Sequence, residues 1–90
     1  MTATFLVELY LPGQTAASAA DIVERARAAA AVLARRGTDV RLVRSILVPG
    51  DDCVLCVWEG PSAAAVGEAS LLADLPYERV VPATLEGETR

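Results

Sequence analysis

Apolar and polar positions alternate along Thr4-Phe5-Leu6-Val7-Glu8-Leu9-Tyr10-Leu11, a period of two that predicts a β-strand, and Pro12-Gly13 marks the turn that stops it. Phe5, Val7, Leu9 and Leu11 share one face. Leu6, Glu8 and Tyr10 share the other, which makes the second face the polar one and puts a carboxylate in mid-strand. The pattern then lengthens to a helical period, with Ile22, Ala26, Ala29, Ala30 and Leu33 as the apolar stripe. Thr15 or Ser18 is the N-cap candidate, Asp21 follows Ser18 in a loose capping-box position, and Gly37 supplies the stop. Alanine dominates the stripe, so the helix is expected to pack closely on a sheet while contributing little apolar area per residue. Arg35 and Arg36 fall in its last turn, where cations suit the helix dipole and a solvated end is expected.

A second β-rich run covers Val40 to Val48, and Pro49-Gly50-Asp51-Asp52 reads as a hairpin connection into a third, Cys53 to Glu59. Gly60-Pro61-Ser62 introduces a short helix, with Ser62 as N-cap, Ala65, Val66, Ala69 and Leu72 facing inward, and Leu75-Pro76 ending it. The last strand, Glu78 to Leu85, contains Pro82, which cannot donate to a ladder and so predicts an edge position. The order βαββαβ fills residues 1–90 as a single α+β domain of the ferredoxin-like type, an antiparallel sheet with two helices on one face. The opposite face is left bare and carries Leu6 and Ile46. Two such faces meeting in a homodimer would close an α+β barrel around a cavity.

Composition sharpens this expectation. A chain of 90 residues buries only about 60–65% of its unfolded surface, yet 53% of these residues are apolar, so a second copy is the simplest cover for the excess. Net charge is −4 and all eight basic residues are scattered arginines, a balance that repels phosphate backbones. Strand three also lacks the basic Gly-aromatic motif of RNA-binding βαββαβ sheets, so no nucleic-acid partner is expected. No apolar run approaches the ~20 residues of a membrane span and the N-terminus lacks a signal-peptide pattern, so no membrane partner and a cytoplasmic location are expected.

The two cysteines form a lone C-x-x-C, Cys53 and Cys56, inside a predicted strand. Residues three apart in a strand point to opposite faces, so these thiols are expected to act as small apolar side chains rather than as a redox pair or half a zinc site. The chain contains no histidine, which excludes a Ser–His or Cys–His nucleophile within one polypeptide.

Strand alternation could place Glu8, Tyr10, Arg44 and Trp58 on the bare face, with Ser45 pointing toward the helices. Glu8, Tyr10 and Arg44 are candidate catalytic residues: a buried carboxyl can move protons, while Tyr and Arg orient or stabilise an oxyanion. The alternative is a Glu8–Arg44 ion pair across the sheet, with Tyr10 and Trp58 as dimer contacts. Leu6, Ile46, Cys56, Trp58 and Glu68 are candidate ligand-binding residues. Trp58 suits either a pocket wall or an interface or core role, and Glu68, on the second helix, either reaches toward Arg44 or points into water.

Val7-Glu8, Leu11-Pro12-Gly13, Val43-Arg44-Ser45, Cys56-Val57-Trp58, Gly60-Pro61, Leu75-Pro76 and Glu78-Arg79-Val80, in this order and spacing, resemble a family of small bacterial ferredoxin-fold proteins, a domain of unknown function also known as nickel-binding proteins of the Streptomyces type. The resemblance spans nearly the whole chain and implies the fold and the dimer. The family pattern often has histidine where this chain has Arg44 and Glu68. Nickel favours imidazole, so nickel is a cofactor here by resemblance only, none is otherwise expected, and the paired change to opposite charges suggests that Arg44 and Glu68 approach one another.

The expected function is therefore a dimeric barrel binding an apolar small molecule in its sheet-face pocket, with cofactor-free acid–base catalysis of a cyclase, isomerase or oxygenase type as its enzymatic form. The alternatives are metal binding, for which Glu8, Cys56 and Glu68 are the available ligands, and a non-catalytic interaction or sensor module.

Overall fold

The computed structural model describes residues 2–13 and 15–86. Strand β1 (Ala3–Tyr10) is followed by helix α1 (Ala16–Arg35), the hairpin strands β2 (Arg41–Val48) and β3 (Cys53–Gly60), helix α2 (Ala63–Leu72) and strand β4 (Tyr77–Pro82). The four strands form one sheet in the order β2-β3-β1-β4, every neighbouring pair antiparallel. This is the expected ferredoxin-like α+β arrangement, with β4 and its Pro82 at an edge.

Phe5, Val7 and Leu9 of β1 and Val54, Cys56 and Trp58 of β3 point into a core shared with Ile22, Ala26, Ala29 and Leu33 of α1 and Ala65, Val66 and Ala69 of α2. Among the described residues, no helix is long and apolar enough to cross a membrane. α1 starts at Thr15, whose side chain accepts from the Ser18 amide at 3.3 Å while the Ser18 hydroxyl oxygen accepts from the Thr15 amide at 2.7 Å. Ser18 thus fills the place of the usual Glu in the capping box. Asp21 serves elsewhere, as the i,i+4 partner of Arg25 at 3.2 Å. Gly37, at φ +89°, takes the left-handed conformation that closes the helix, and the Thr38 amide reaches back to the Leu33 carbonyl.

Helix α2 departs from expectation at its C-terminal end. Ser62 caps it as foreseen, accepting from the Ala65 amide, but the buried set is Ala65, Val66, Gly67, Ala69 and Ser70, joined by the C-cap Ala73, and Leu72 is 45% exposed. Polar residues are too few in this helix to mark its outer face, so the apolar pattern alone cannot fix its rotation. The buried Ser70 hydroxyl is satisfied by donating to the Val66 carbonyl at 3.0 Å. The helix stops at Leu72, before Leu75-Pro76, because Asp74 turns left-handed at φ 59°. β4 also ends early, at Pro82, although the Ala83 amide still donates to the Thr4 carbonyl.

In β2 the register against β3 shifts between Leu42 and Arg44. Leu42 is buried on the helix side, and strict alternation would send Arg44 to that side too. The extra residue at the bulge reverses the alternation, so Arg44 and Ile46 face outward while Ser45 and Leu47 face the helices.

Candidate functional site

Among the described residues no helix covers the other sheet face, on which Ile46 is exposed, Leu6, Leu55 and Val81 are half-buried and Val57 is buried. The middle of that face is apolar: Leu6 of β1, Leu55 and Val57 of β3, Ile46 of β2 and Val81 of β4, all brought together by the strand register. One ion pair continues the Ile46–Leu55 row across β1 and β4, and another lies beyond the apolar rows at one end. Arg79 of β4 donates to Glu8 of β1 at 3.1 Å, and Arg41 of β2 donates to Glu59 of β3 at 2.7 Å. Each pair lies on adjacent strands in direct register. The Glu8 carboxylate raises the Arg79 pKa above its ordinary value, chiefly through their hydrogen bond.

At one end of the face lies a trough of about 440 Å³, lined by Thr4, Arg41, Val43, Arg44, Glu59, Ala83, Thr84 and Leu85. Residues 83–85 therefore leave the edge strand β4 to form one wall of a hollow whose opposite wall belongs to β2. Of the candidate residues, only Arg44 lines it. Arg41 and Glu59 were not singled out from the sequence. Counting back from the hairpin, where Val48 faces Cys53 and Ile46 faces Leu55, puts Leu42 opposite Glu59, and the bulge moves Arg41 there instead. A second groove, of about 340 Å³, lies between the helices and is lined by Arg25, Ala28, Ala29, Val32, Leu72, Ala73 and Asp74.

The structure separates several candidates that the sequence grouped together. Glu8, Tyr10, Arg44, Leu6 and Ile46 do share the open face, and Tyr10 is well exposed there. Trp58 and Cys56 do not: both are 0% exposed and belong to the core beneath the helices. The physical reason is parity. Leu55 and Val57 take the outer positions of β3, which forces Val54, Cys56 and Trp58 inward. The buried indole N–H of Trp58 has no hydrogen-bond partner among the described residues.

The expected Glu8–Arg44 ion pair is replaced by Glu8–Arg79. Strand β3 lies between β1 and β2, so Glu8 and Arg44 start roughly 10 Å apart before any stagger along the strands, whereas Arg79 sits directly opposite Glu8. The approach of Arg44 to Glu68 is likewise corrected: Glu68 is exposed on α2 in the helix layer, and Arg44 projects from the other side of the sheet. Glu8, Tyr10 and Arg44 therefore share a face without converging on one point. Arg44 is level with Leu6, through their common neighbour Val57, and Tyr10 is level with Cys53 at the opposite end of β1.

A nickel site needs convergent nitrogen or thiolate donors, and the residues present do not fit that need. The chain has no imidazole. The two free cysteines sit on opposite faces of β3, and burial pushes the Cys56 thiol pKa up, only partly countered by Ser45, whose hydroxyl lies 3.4 Å from the sulfur. Glu8 and Glu59 are engaged by guanidinium groups. Among the described residues, no three His, Cys, Asp or Glu side chains come together.

Comparison with solved structures shows a chain similar in fold: SCO4226 from Streptomyces coelicolor A3(2), at 21% sequence identity and a TM-score of 0.71, the match covering 94% of this chain and 100% of that one. A comparison with curated proteins gives no match. Residues 5–82 match the family described as "Nickel responsive protein SCO4226-like". That match runs from Phe5 in β1 to Pro82 in β4, through every element that shapes the open face, and the chain therefore belongs to the nickel-responsive SCO4226-like family.

Proposed function

We propose that this chain is a ligand-binding protein that works as a homodimer, two copies pairing through their open sheet faces and holding an apolar small molecule between them. The observation that carries this reading is the apolar cluster of Leu6, Ile46, Leu55, Val57 and Val81 on a face without helices, sharing its rows with Arg44 and the Glu8–Arg79 pair. Apolar sheet surface left in water is costly for a chain of 90 residues, and a second sheet facing it removes it from water, with interior space wherever the two sheets stand further apart than the about 10 Å of close packing. Binding is favoured over turnover. A general base must reach its proton, and the Glu8 carboxylate is already held by Arg79, while Arg44 and Tyr10 lie at different levels of the sheet.

The test combines light scattering on a sizing column with titration of N-phenylnaphthylamine, an apolar dye that brightens when it leaves water. Expected are a dimer mass and saturable dye emission, both lost in Leu55→Lys, with circular dichroism verifying that the variant is folded. A monomer that takes up no dye would refute the reading. A dimer without dye uptake would leave a filled interface and remove the ligand.

A further inference from the structure

We infer that this member of a nickel-responsive family is itself blind to nickel, because its open face is built on carboxylate–guanidinium pairs where a nickel site needs imidazole or thiolate donors. The inference is independent of what occupies the face in the dimer.

Nickel(II) binds tightly where nitrogen or sulfur donors converge, and a lone carboxylate is a weak substitute. Histidine is absent from the entire sequence, so neither one copy nor any number of copies can supply an imidazole. Sulfur is no better placed. Cys56 is sealed in the core at 0% exposure beside Ser45, and a thiol must lose its proton to bind a metal, which burial opposes. Cys53 does face the open side, opposite Tyr10 at the hairpin end of β3, but as a single half-buried thiol with no second nitrogen or sulfur donor beside it among the described residues.

Beside that single thiol the open face offers the carboxylates of Glu8 and Glu59, and both already have a cation. Arg79 holds Glu8 at 3.1 Å and Arg41 holds Glu59 at 2.7 Å. A divalent ion approaching either oxygen would have to displace the guanidinium and then sit beside it, in a field of its own sign. Pairing two copies face to face does not change this balance for the carboxylates, since each Glu8 arrives with its own Arg79, and it adds no imidazole to the Cys53 thiol of either copy.

The experiment is isothermal titration of the untagged protein with nickel chloride at neutral pH, alongside the double variant Ile46→His/Leu55→His. Ile46 and Leu55 are direct cross-strand partners on the open face, so the variant sets two imidazoles side by side. No saturable heat is expected for the parent chain up to about 100 μM nickel, a regime in which donor-poor surfaces bind weakly, and none of its melting temperature should depend on the metal. Saturable binding is expected for the double variant. Stoichiometric low-micromolar binding by the parent chain would overturn the inference. So would a folded double variant that stays silent, because the obstacle would then lie in the face itself and not in its donors.

Discussion

Glu8 and Arg79 stand directly opposite one another on β1 and β4, and the guanidinium Nη2 donates to the carboxylate Oε2 at 3.1 Å. This contact ties the edge strand to the middle of the sheet on the side where no helix supports it. Both side chains retain access to water, so the bond is expected to add little to stability and to weaken with salt. Its larger effect is on charge pattern. Glu8→Arg would set two guanidinium groups in direct register and lower the melting temperature, whereas adding Arg79→Glu should restore it. Thermal melts of the two single variants and the swap, in low and high salt, check this. A swap no better than its worse single variant would mean that the two residues do not act as a pair.

The two thiols should behave as different chemical groups. Cys53 is half-buried on the open face and Cys56 is closed inside the core. A disulfide reagent such as Ellman's is expected to modify one thiol per chain quickly in the native protein and the second only after unfolding. Cys53→Ser should remove the fast phase. Two fast phases of equal amplitude would place Cys56 within reach of solvent.

Burial raises the Cys56 pKa above the ordinary thiol value, with the Ser45 contact opposing the shift. The folded chain therefore keeps its proton at a pH where the unfolded chain loses it. The associated stability is fully present below about pH 9 and is lost as the pH climbs through 9 toward the folded value. Denaturant titrations at pH 7 and pH 10 are expected to show a larger loss for the parent chain than for Cys56→Ala. Equal losses would assign the alkaline sensitivity to other groups.

Most of the fold was legible because each element carries its own signal. The alternation through β1 gave the correct inner and outer sets, Gly37 and Ser62 marked real helix boundaries, and Pro82 gave the edge. The errors arose where a pattern carried no phase information. In α2, apolar residues surround the axis, so nothing in the sequence says that Leu72 faces outward. In β3, nearly every residue is apolar, so parity between Trp58 and Val57 is decided only by pairing with β1. The Arg41–Glu59 pair was hidden by a one-residue bulge that no local motif announces. Charged partners on the open face depended on strand order, and β1 could choose Arg79 over Arg44 only once β3 lay between β1 and β2.

The N-terminus of α1 depends on two small hydroxyls. Thr15 and Ser18 satisfy one another's backbone amides, without the Glu that usually completes the box. Thr15→Ala is expected to cost about 1 kcal/mol, and Ser18→Glu, which restores the longer acceptor, should be neutral or slightly stabilising. Urea denaturation of both variants tests the point. A neutral Thr15→Ala would mean that water replaces the cap without loss.

Two glycines make close approaches that differ in what stands opposite them. A methyl group at Gly60 would lie 3.0 Å from Cγ1 of Val40 and 3.2 Å from Cγ2 of Val66, at the junction of β3 with α2. Both valines are buried and β-branched, so neither can rotate aside without meeting other core atoms. At Gly67 the added methyl group would lie 3.0 Å from the Tyr77 hydroxyl, the far end of a half-buried side chain that can swing outward. Alanine there also gains up to about 1 kcal/mol of helix propensity. Gly60→Ala is therefore expected to destabilise by about 1–3 kcal/mol, the usual cost of overpacking a core, and Gly67→Ala to remain within about 1 kcal/mol of the parent chain. Chemical denaturation distinguishes the two. The reverse ranking would show that Tyr77 is the rigid wall and that α2 has room to move off the end of β3.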